Sequence, residues 1–332
     1  WSKKTKPLFL MRSLSSKIDN VIKSLWDNLN IENASLSAVG GYGRGELAPY
    51  SDIDLLITVE NHQKIKEKIS LFVSSLWDIG LEAGQSVRTI DESIDLAKND
   101  TTVATSLLEL RFLCGNKNYF KKLKFERSKN INSVSFARSK ILEMQLRHSH
   151  HHHTPYSLEP NVKESPGGIR DIQTIRWICL QFGLGKTFQE LAKNNLLTSE
   201  EANQLSNNEK KLRAIRGFLH ACAGRREDRL VFDLQNSVAS TMGISGKKDR
   251  RASELLMQQY YRSAKIIVQI TEMVLSNLEP KLFPNEKVYS NKNSKKIKIG
   301  KDFYEIRGLI EISKPELLPN NPKIILDAFI LL

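Results

Sequence analysis

Val39-Gly-Gly-Tyr-Gly-Arg-Gly-Glu-Leu-Ala-Pro-Tyr-Ser-Asp-Ile-Asp54 is the stretch on which the fold turns. Four glycines (Gly40, Gly41, Gly43 and Gly45) surround Arg44 and lie between two extended runs. Glycine lets backbone N–H groups approach a phosphate closely, so such a loop can cradle a triphosphate. Taken alone, it is equally an ordinary flexible connection. The residues that follow change the reading. Asp52 and Asp54 are two apart in an alternating run whose other face is Ile53, Leu55, Ile57 and Val59. Both carboxylates therefore project from one side of a strand. Held so close, they repel and raise a pKa unless a cation lies between them. Hard oxygen donors of this kind suit Mg²⁺, which binds through one or two carboxylates together with substrate phosphates, and Mn²⁺ can take the same place.

Working outward, Leu14, Ile18, Val21, Ile22, Leu25 and Leu29 predict a helix over 8–30, and Leu36–Val39 a short strand. Ile65, Ile69, Phe72, Val73 and Leu76 predict a helix over 64–79, and residues 81–90 are extended. Within that run Glu82, Gly84, Ser86 and Arg88 share a face. A neighbouring strand would bring Glu82 beside the aspartates as a third carboxylate, and Arg88 near the phosphates. Residues 100–113 read as a helix through Val103, Leu107 and Leu110. The result is an α+β domain with a mixed sheet. Beyond about residue 125 the pattern is helical, ending in a long helix over 252–279 that Pro280 stops. Short alternating runs from Lys295 to Ile312 predict a small meander. The expected division is a catalytic domain over 1–125, a helical substrate or lid domain over 126–283, and a short β-rich segment and linker over 284–332.

Composition narrows the class. Fifty Lys+Arg against 37 Asp+Glu leave a net charge of +13 in 332 residues, which fits an anionic partner or simply a lysine-rich surface. The 40% hydrophobic and 26% charged content belongs to a globular chain rather than a disordered one. No apolar run is long enough for a membrane span, and no aromatic–basic interleaving points to nucleic acid. Cys114, Cys179 and Cys222 are far apart, with no CxxC, as suits a cytoplasmic protein. The start at Trp1 and the apolar end at Ile330-Leu331-Leu332 suggest a piece of a longer protein.

The glycine loop followed by Asp-x-Asp resembles the DNA polymerase β-like nucleotidyltransferases. The longer string through Ser51-Asp-Ile-Asp-Leu-Leu-Ile57 is more specifically similar to the bacterial PII uridylyltransferase/uridylyl-removing family. Three further stretches carry that resemblance: Ser86–Thr89 with Asp100–Arg111, Leu158–Gln173, and Ala223–Leu230 continuing to Gln258–Arg262. The resemblance implies transfer of UMP from UTP to a tyrosine hydroxyl of the nitrogen-regulatory protein PII, with release of pyrophosphate. Asp52, Asp54 and Glu82 would hold metal, and Glu82 would also help to deprotonate the nucleophile. Gly40, Gly41, Gly43, Arg44, Gly45 and Ser51 would hold the phosphates. Full-length members carry an HD hydrolase domain and two ACT domains. This chain has no His-Asp dipeptide and is expected to be the transferase part alone. Two alternatives stay open: transfer to another acceptor, such as adenylylation of a protein or small molecule, and a non-catalytic nucleotide sensor.

In Leu158–Asp171 a polar, glycine-rich loop runs into a helix, with Ser165 as cap and Pro166 near the start. Lys163 and Arg170 add charge where helix N–H groups favour an anion. The loop reads as a lid or base-side wall over the nucleotide, with Lys163, Gly167, Gly168, Arg170 and Asp171 as nucleotide-binding candidates. The Gly224–Arg229 cluster reads as a structural ion-pair network, with phosphate or partner contact as the alternative. His150–His153 read as a solvated loop.

Overall fold

The computed structural model describes residues 7–247, 249–282, 297–306, 309–313, 321 and 323–330. The chain divides into two compact units, residues 1–277 and 278–332. The first is built on a four-stranded sheet in the order β3-β2-β1-β4, formed by β1 (Ala34–Ala38), β2 (Ile53–Val59), β3 (Ala83–Arg88) and β4 (Arg111–Gly115). β1 runs antiparallel to β2 and β4, whereas β2 and β3 are parallel, so the sheet is mixed as expected.

The period-two pattern of β2 explains both faces. Ile53, Leu55, Ile57 and Val59 join Leu36 and Ala38 in a core against α1 (Pro7–Asn28) and α3 (Lys66–Asp78), where Trp26 meets Phe72 edge-on. The other face carries Asp52, Asp54, Leu56 and Thr58. Leu56 packs with Ile94, Ala97, Leu107 and Leu123, from α4 (Ile90–Asn99), α5 (Thr101–Leu108) and α6 (Lys117–Asn130). That cover reaches Leu56 and Thr58, both buried, and leaves Asp52 exposed and Asp54 half-buried. Only the first turn of the strand is thus open for chemistry.

Helices complete the unit: α7 (Ser133–His150), α8 (Ile169–Gln181), α9 (Phe188–Lys193), α10 (Ser199–Ala223), α11 (Phe232–Thr241) and α12 (Ala252–Leu282) as far as Asn277. The second unit contains an antiparallel meander of β5 (Ile297–Lys298), β6 (Phe303–Ile306) and β7 (Leu309–Ile312), followed by α13 (Lys323–Ile330). The meander agrees with the sequence pattern. Lys295 and Lys296, and the end at Leu331 and Leu332, lie outside the described residues.

Several local expectations change. The helix expected over 100–113 stops at Leu108, and Arg111–Gly115 forms the edge strand β4 instead. Its pairing partner β1 is far away in sequence, so local periodicity could not reveal it. Asp100 caps α5, accepting from the Thr102 N–H at 2.7 Å, and a Thr89–Glu92 capping box starts α4, which the periodicity missed. α12 runs two residues past Pro280, which removes one N–H bond to the preceding turn without ending the helix there. Ser165 does not cap α8. Its hydroxyl accepts from the Asn161 N–H at 3.0 Å, and the helix begins at Ile169 with Gly168 in the cap position.

Candidate active site

The glycine stretch is a tight helical turn, α2 (Gly40–Gly43), rather than an open loop. The Gly43 N–H donates to Val39 O at 2.8 Å, and the Val39 N–H donates to Asp54 O at 3.0 Å, so the turn is fastened directly to β2. Two glycines are required by their surroundings. Gly40 has φ +57°, and a Cβ there would lie 2.9 Å from Asp54 Oδ2. A Cβ on Gly43 would lie 2.2 Å from the carbonyl oxygen of Glu109.

Arg44 follows this turn and donates to the Glu109 carboxylate, which also accepts from Trp177 Nε1 at 2.6 Å. Glu46 pairs with Arg213 at 2.7 Å, and Arg213 continues to Glu209 at 2.8 Å and so to Arg176 at 2.6 Å. Arg111 clamps the far side of the turn. It donates to Gly43 O at 3.2 Å and Tyr42 O at 3.0 Å while paired with Asp19 at 2.5 Å. The glycine turn is therefore held on one side by the sheet domain and on the other by α8 and α10.

A cleft of about 450 Å³ opens above it, within the range of small-molecule sites. Gly40, Gly41, Arg44, Ser51, Asp52 and Asp54 line one side, and Arg170 from α8, Arg213 from α10, and Lys163 and Arg226 from the loops before α8 and α11 line the other. The lining has eight Lys and Arg against six Asp and Glu. The Ser51 hydroxyl is buried and has no hydrogen-bond partner among the described residues, leaving a donor beside the aspartates for a phosphate oxygen. Burial pushes the Asp54 carboxyl above its usual range, with Asp52 adding repulsion that Arg226, Lys163 and Arg44 only partly offset. Burial pushes the Lys163 ammonium down, and the charge of Arg170 does so further.

A divalent cation fits this donor set. Two hard carboxylates face one opening, their repulsion is only partly relieved, and the absent side chains of Gly40 and Gly84 leave Asp54 clear at 2.9 and 3.1 Å. Among the described residues no three His, Cys, Asp or Glu side chains converge as a metal site. Glu82 precedes β3, exposed, beside the start of β2, where its carbonyl accepts from the Ile53 N–H at 3.4 Å. The β2–β3 register (Asp54 opposite Gly84, Thr58 opposite Arg88) puts Glu82 and Arg88 on the aspartate face, but neither lines the cleft.

The 158–171 loop is firmly built. Asn161 Oδ1 accepts from the Lys163 and Glu164 N–H groups at 3.0 and 2.8 Å, and Gly167 packs against the backbone of Ala264. Lys163 and Arg170 reach the cleft, whereas Gly167, Gly168 and Asp171 do not line it. Asp171 is fully buried, accepting from the Gly167 N–H at 2.7 Å and pairing with Arg147 at 2.7 Å and His148 at 2.9 Å. Gly43 and Gly45 likewise stand behind the lining.

Most of the Gly224–Arg229 cluster is an ion-pair network. Arg225 pairs with Glu227, Arg229 with Glu159, and Asp228 with Arg216 and His220. Arg226 is different: it crosses to Asp52. The reading of residue spacing missed Arg226, Glu109 and Arg213 as parts of the site. The signal for Arg226 and Glu109 was present in the Arg-Arg-Glu-Asp and Leu-Glu-Leu-Arg stretches that carried the family resemblance, whereas Arg213 lies outside them.

Residues 15–129 match the family model described as a nucleotidyltransferase domain, and residues 135–275 match that described as GlnD PII-uridylyltransferase. Across these two segments the chain resembles the nucleotidyltransferase region of the PII-uridylyltransferase family. Bifunctional uridylyltransferase/uridylyl-removing enzymes of Cupriavidus metallidurans and Cupriavidus pinatubonensis are 42% identical to it over 325 residues. That of Burkholderia mallei is 41% identical over the same length. Each alignment takes in 97% of this chain and 37% of the relative, so the chain spans little more than a third of the length of these relatives. The two matched segments meet across the cleft: the first supplies the glycine turn and aspartates, the second Lys163, Arg170, Arg213 and Arg226. No helix among the described residues is long and apolar enough to cross a membrane.

Proposed function

We propose that this chain transfers UMP from UTP to a tyrosine hydroxyl of PII, releasing pyrophosphate, in the cytoplasm of a bacterium. One observation carries the chemistry: Asp52 and Asp54 stand at the open start of β2, beside a glycine turn and a buried hydroxyl unpaired among the described residues, facing a cationic wall. The names of the relatives carry the choice of uridylyl group. Asp52 and Asp54 would hold Mg²⁺ or Mn²⁺, which when bound supplies charge neutralisation at the transferring phosphate. Glu82 and Arg88 lie on the same face, and in this reading they act from its rim once the acceptor is seated.

The protein's own part is positioning and electrostatics, as befits phosphoryl-type transfer. The acceptor oxygen forms a bond to the α-phosphorus, the bond from that phosphorus to the bridging oxygen breaks, and pyrophosphate leaves with the electron pair. The hydroxyl proton is released to solvent. Ser51 and the glycine turn orient the phosphate chain, and Lys163 and Arg170 balance its charge. Gly167, Gly168 and Asp171 contribute by fixing the loop that presents them. The test is pyrophosphate release with each nucleoside triphosphate in turn, with PII and with PII lacking the acceptor tyrosine. Release with UTP that needs the tyrosine supports the reading. Equal release without PII, or a preference for ATP, overturns it.

A further inference from the structure

Arg226 occupies an unusual place among the cations of the cleft. It lies in the loop between α10 and α11, and its Nη1 donates to Asp52 Oδ2. Arg44, Arg170, Arg213 and Arg216 are each paired with a carboxylate other than Asp52 and Asp54. Arg226 alone among these five spends its charge on an aspartate expected to bind metal. The loop around it is pinned: Arg229 is tied to Glu159 at 2.8 Å, and Asp228 to Arg216 and His220 at 2.5 and 3.0 Å. The backbone is thus fixed while the Arg226 side chain reaches out over the cleft. Both members of the pair are about half exposed, at 46% and 51%. An ion pair so open to water is weak and readily exchanged.

We propose that Arg226 is an exchangeable counter-ion, neutralising Asp52 until a divalent cation takes that carboxylate and then passing to the triphosphate of the nucleotide. The inference rests on the nucleotidyl-transfer reading of the site. Charge balance favours the exchange. With Arg226 counted, the lining has an excess of two positive charges, and a nucleoside triphosphate with one divalent cation is close to a dianion. Arg226 lines the same cleft as Ser51, Gly40 and Gly41, the side where phosphate oxygens would lie. Its fork geometry suits two oxygens at once.

The exchange makes two predictions of opposite sign, which a merely structural arginine does not. Mn²⁺ binding without nucleotide, and binding of a non-hydrolysable UTP analogue with Mn²⁺ present, are measured by calorimetry for wild type, Arg226→Gln, Arg226→Lys and Asp52→Asn. Arg226→Gln should bind Mn²⁺ roughly two- to fivefold more tightly, having lost the competing cation. It should bind the analogue roughly tenfold or more weakly, having lost a charge-assisted bond. Arg226→Lys, which keeps the charge, should stay nearer wild type in both. Unchanged affinities in Arg226→Gln, or two shifts of the same sign, overturn the inference while leaving the metal site standing. Loss of the distinction between wild type and Asp52→Asn in Mn²⁺ binding overturns the site reading and this inference with it. The side chain is surface-exposed, and coincident melting curves show whether Arg226→Gln keeps the fold.

Discussion

Gly40 faces the carboxylate of Asp54 so closely that a Cβ at position 40 would lie 2.9 Å from Oδ2, on a backbone whose φ of +57° already excludes most side chains. Gly45 has a similar φ of +69° but open space around it. The pair separates backbone strain from damage to the site. Gly45→Ala should lose only about 1–2 kcal/mol of stability from the left-handed conformation. Gly40→Ala should lose at least as much and also displace Asp54, weakening Mn²⁺ binding by calorimetry. Equal Mn²⁺ affinity in the two variants would mean that Gly40 is there for the turn alone.

Asp54 provides a pH test on the metal-free protein. Burial and the charge of Asp52 raise its folded-state pKa above the unfolded value. Between those two values the folded state binds more protons than the unfolded, so stability falls as pH rises through the window. The resulting penalty is fully present above the folded pKa and absent below the usual aspartate range. Asp54→Asn removes the charge, so in the presence of a chelator it should melt above wild type at neutral pH. The gap should close as the pH falls below about 4. A variant less stable than wild type at neutral pH would show that the attractions from Arg226, Lys163 and Arg44 outweigh the burial and repulsion.

How legible was this in the sequence? The alternation of Ile53, Leu55, Ile57 and Val59 placed β2, its buried face and the two aspartates correctly, because a strand's faces are a local property. The glycine spacing placed the turn but not its helical form, which depends on Arg111 and Glu109 closing on it from residues 60 or more away. β4 was hidden for the same reason: its identity is a pairing with β1, and its own five residues contain no strong alternation. Arg226 was legible only as one charge in a mixed cluster. Which of its arginines turns inward is decided by the partners of the others, Glu227 for Arg225 and Glu159 for Arg229.

Arg213 should be the most sensitive of the supporting residues. Its side chain is 6% exposed and bridges Glu46, next to the glycine turn, to Glu209. Its guanidinium stays charged because the two carboxylates outweigh the desolvation. Arg213→Met removes the cation these two poorly exposed acids share, so urea denaturation should show a loss of about 3–5 kcal/mol. Arg213→Lys, which keeps the charge but not the fork, should lose less. A loss below about 1 kcal/mol for the methionine variant would show that water reaches these acids.

Arg170 closes the account of the cationic wall. Its guanidinium bonds Glu164 at 3.2 Å and Gln173 at 3.0 Å, lies 5.3 Å from the centre of the Trp177 ring, and is about 29% exposed towards the cleft. Those bonds orient it before any ligand arrives, so little side-chain freedom remains to be lost on binding. The loop that carries Glu164 is fixed too, by Asn161, Gly167 and Asp171. Two outcomes follow from this rigidity. Proteolysis within 158–171 should be slow and should not change when UTP is added, because there is no folding step left for the nucleotide to drive. Arg170→Ala should weaken binding of a UTP analogue by about 1.5–3 kcal/mol, the value of a charge-assisted bond, which is roughly 10- to 150-fold. Its melting point should fall only slightly, since the pair it loses is partly solvated. Calorimetry beside a thermal melt separates the two effects. An unchanged affinity with a large drop in melting point would make Arg170 a strut for α8 and leave Lys163 as the loop's only contact with phosphate.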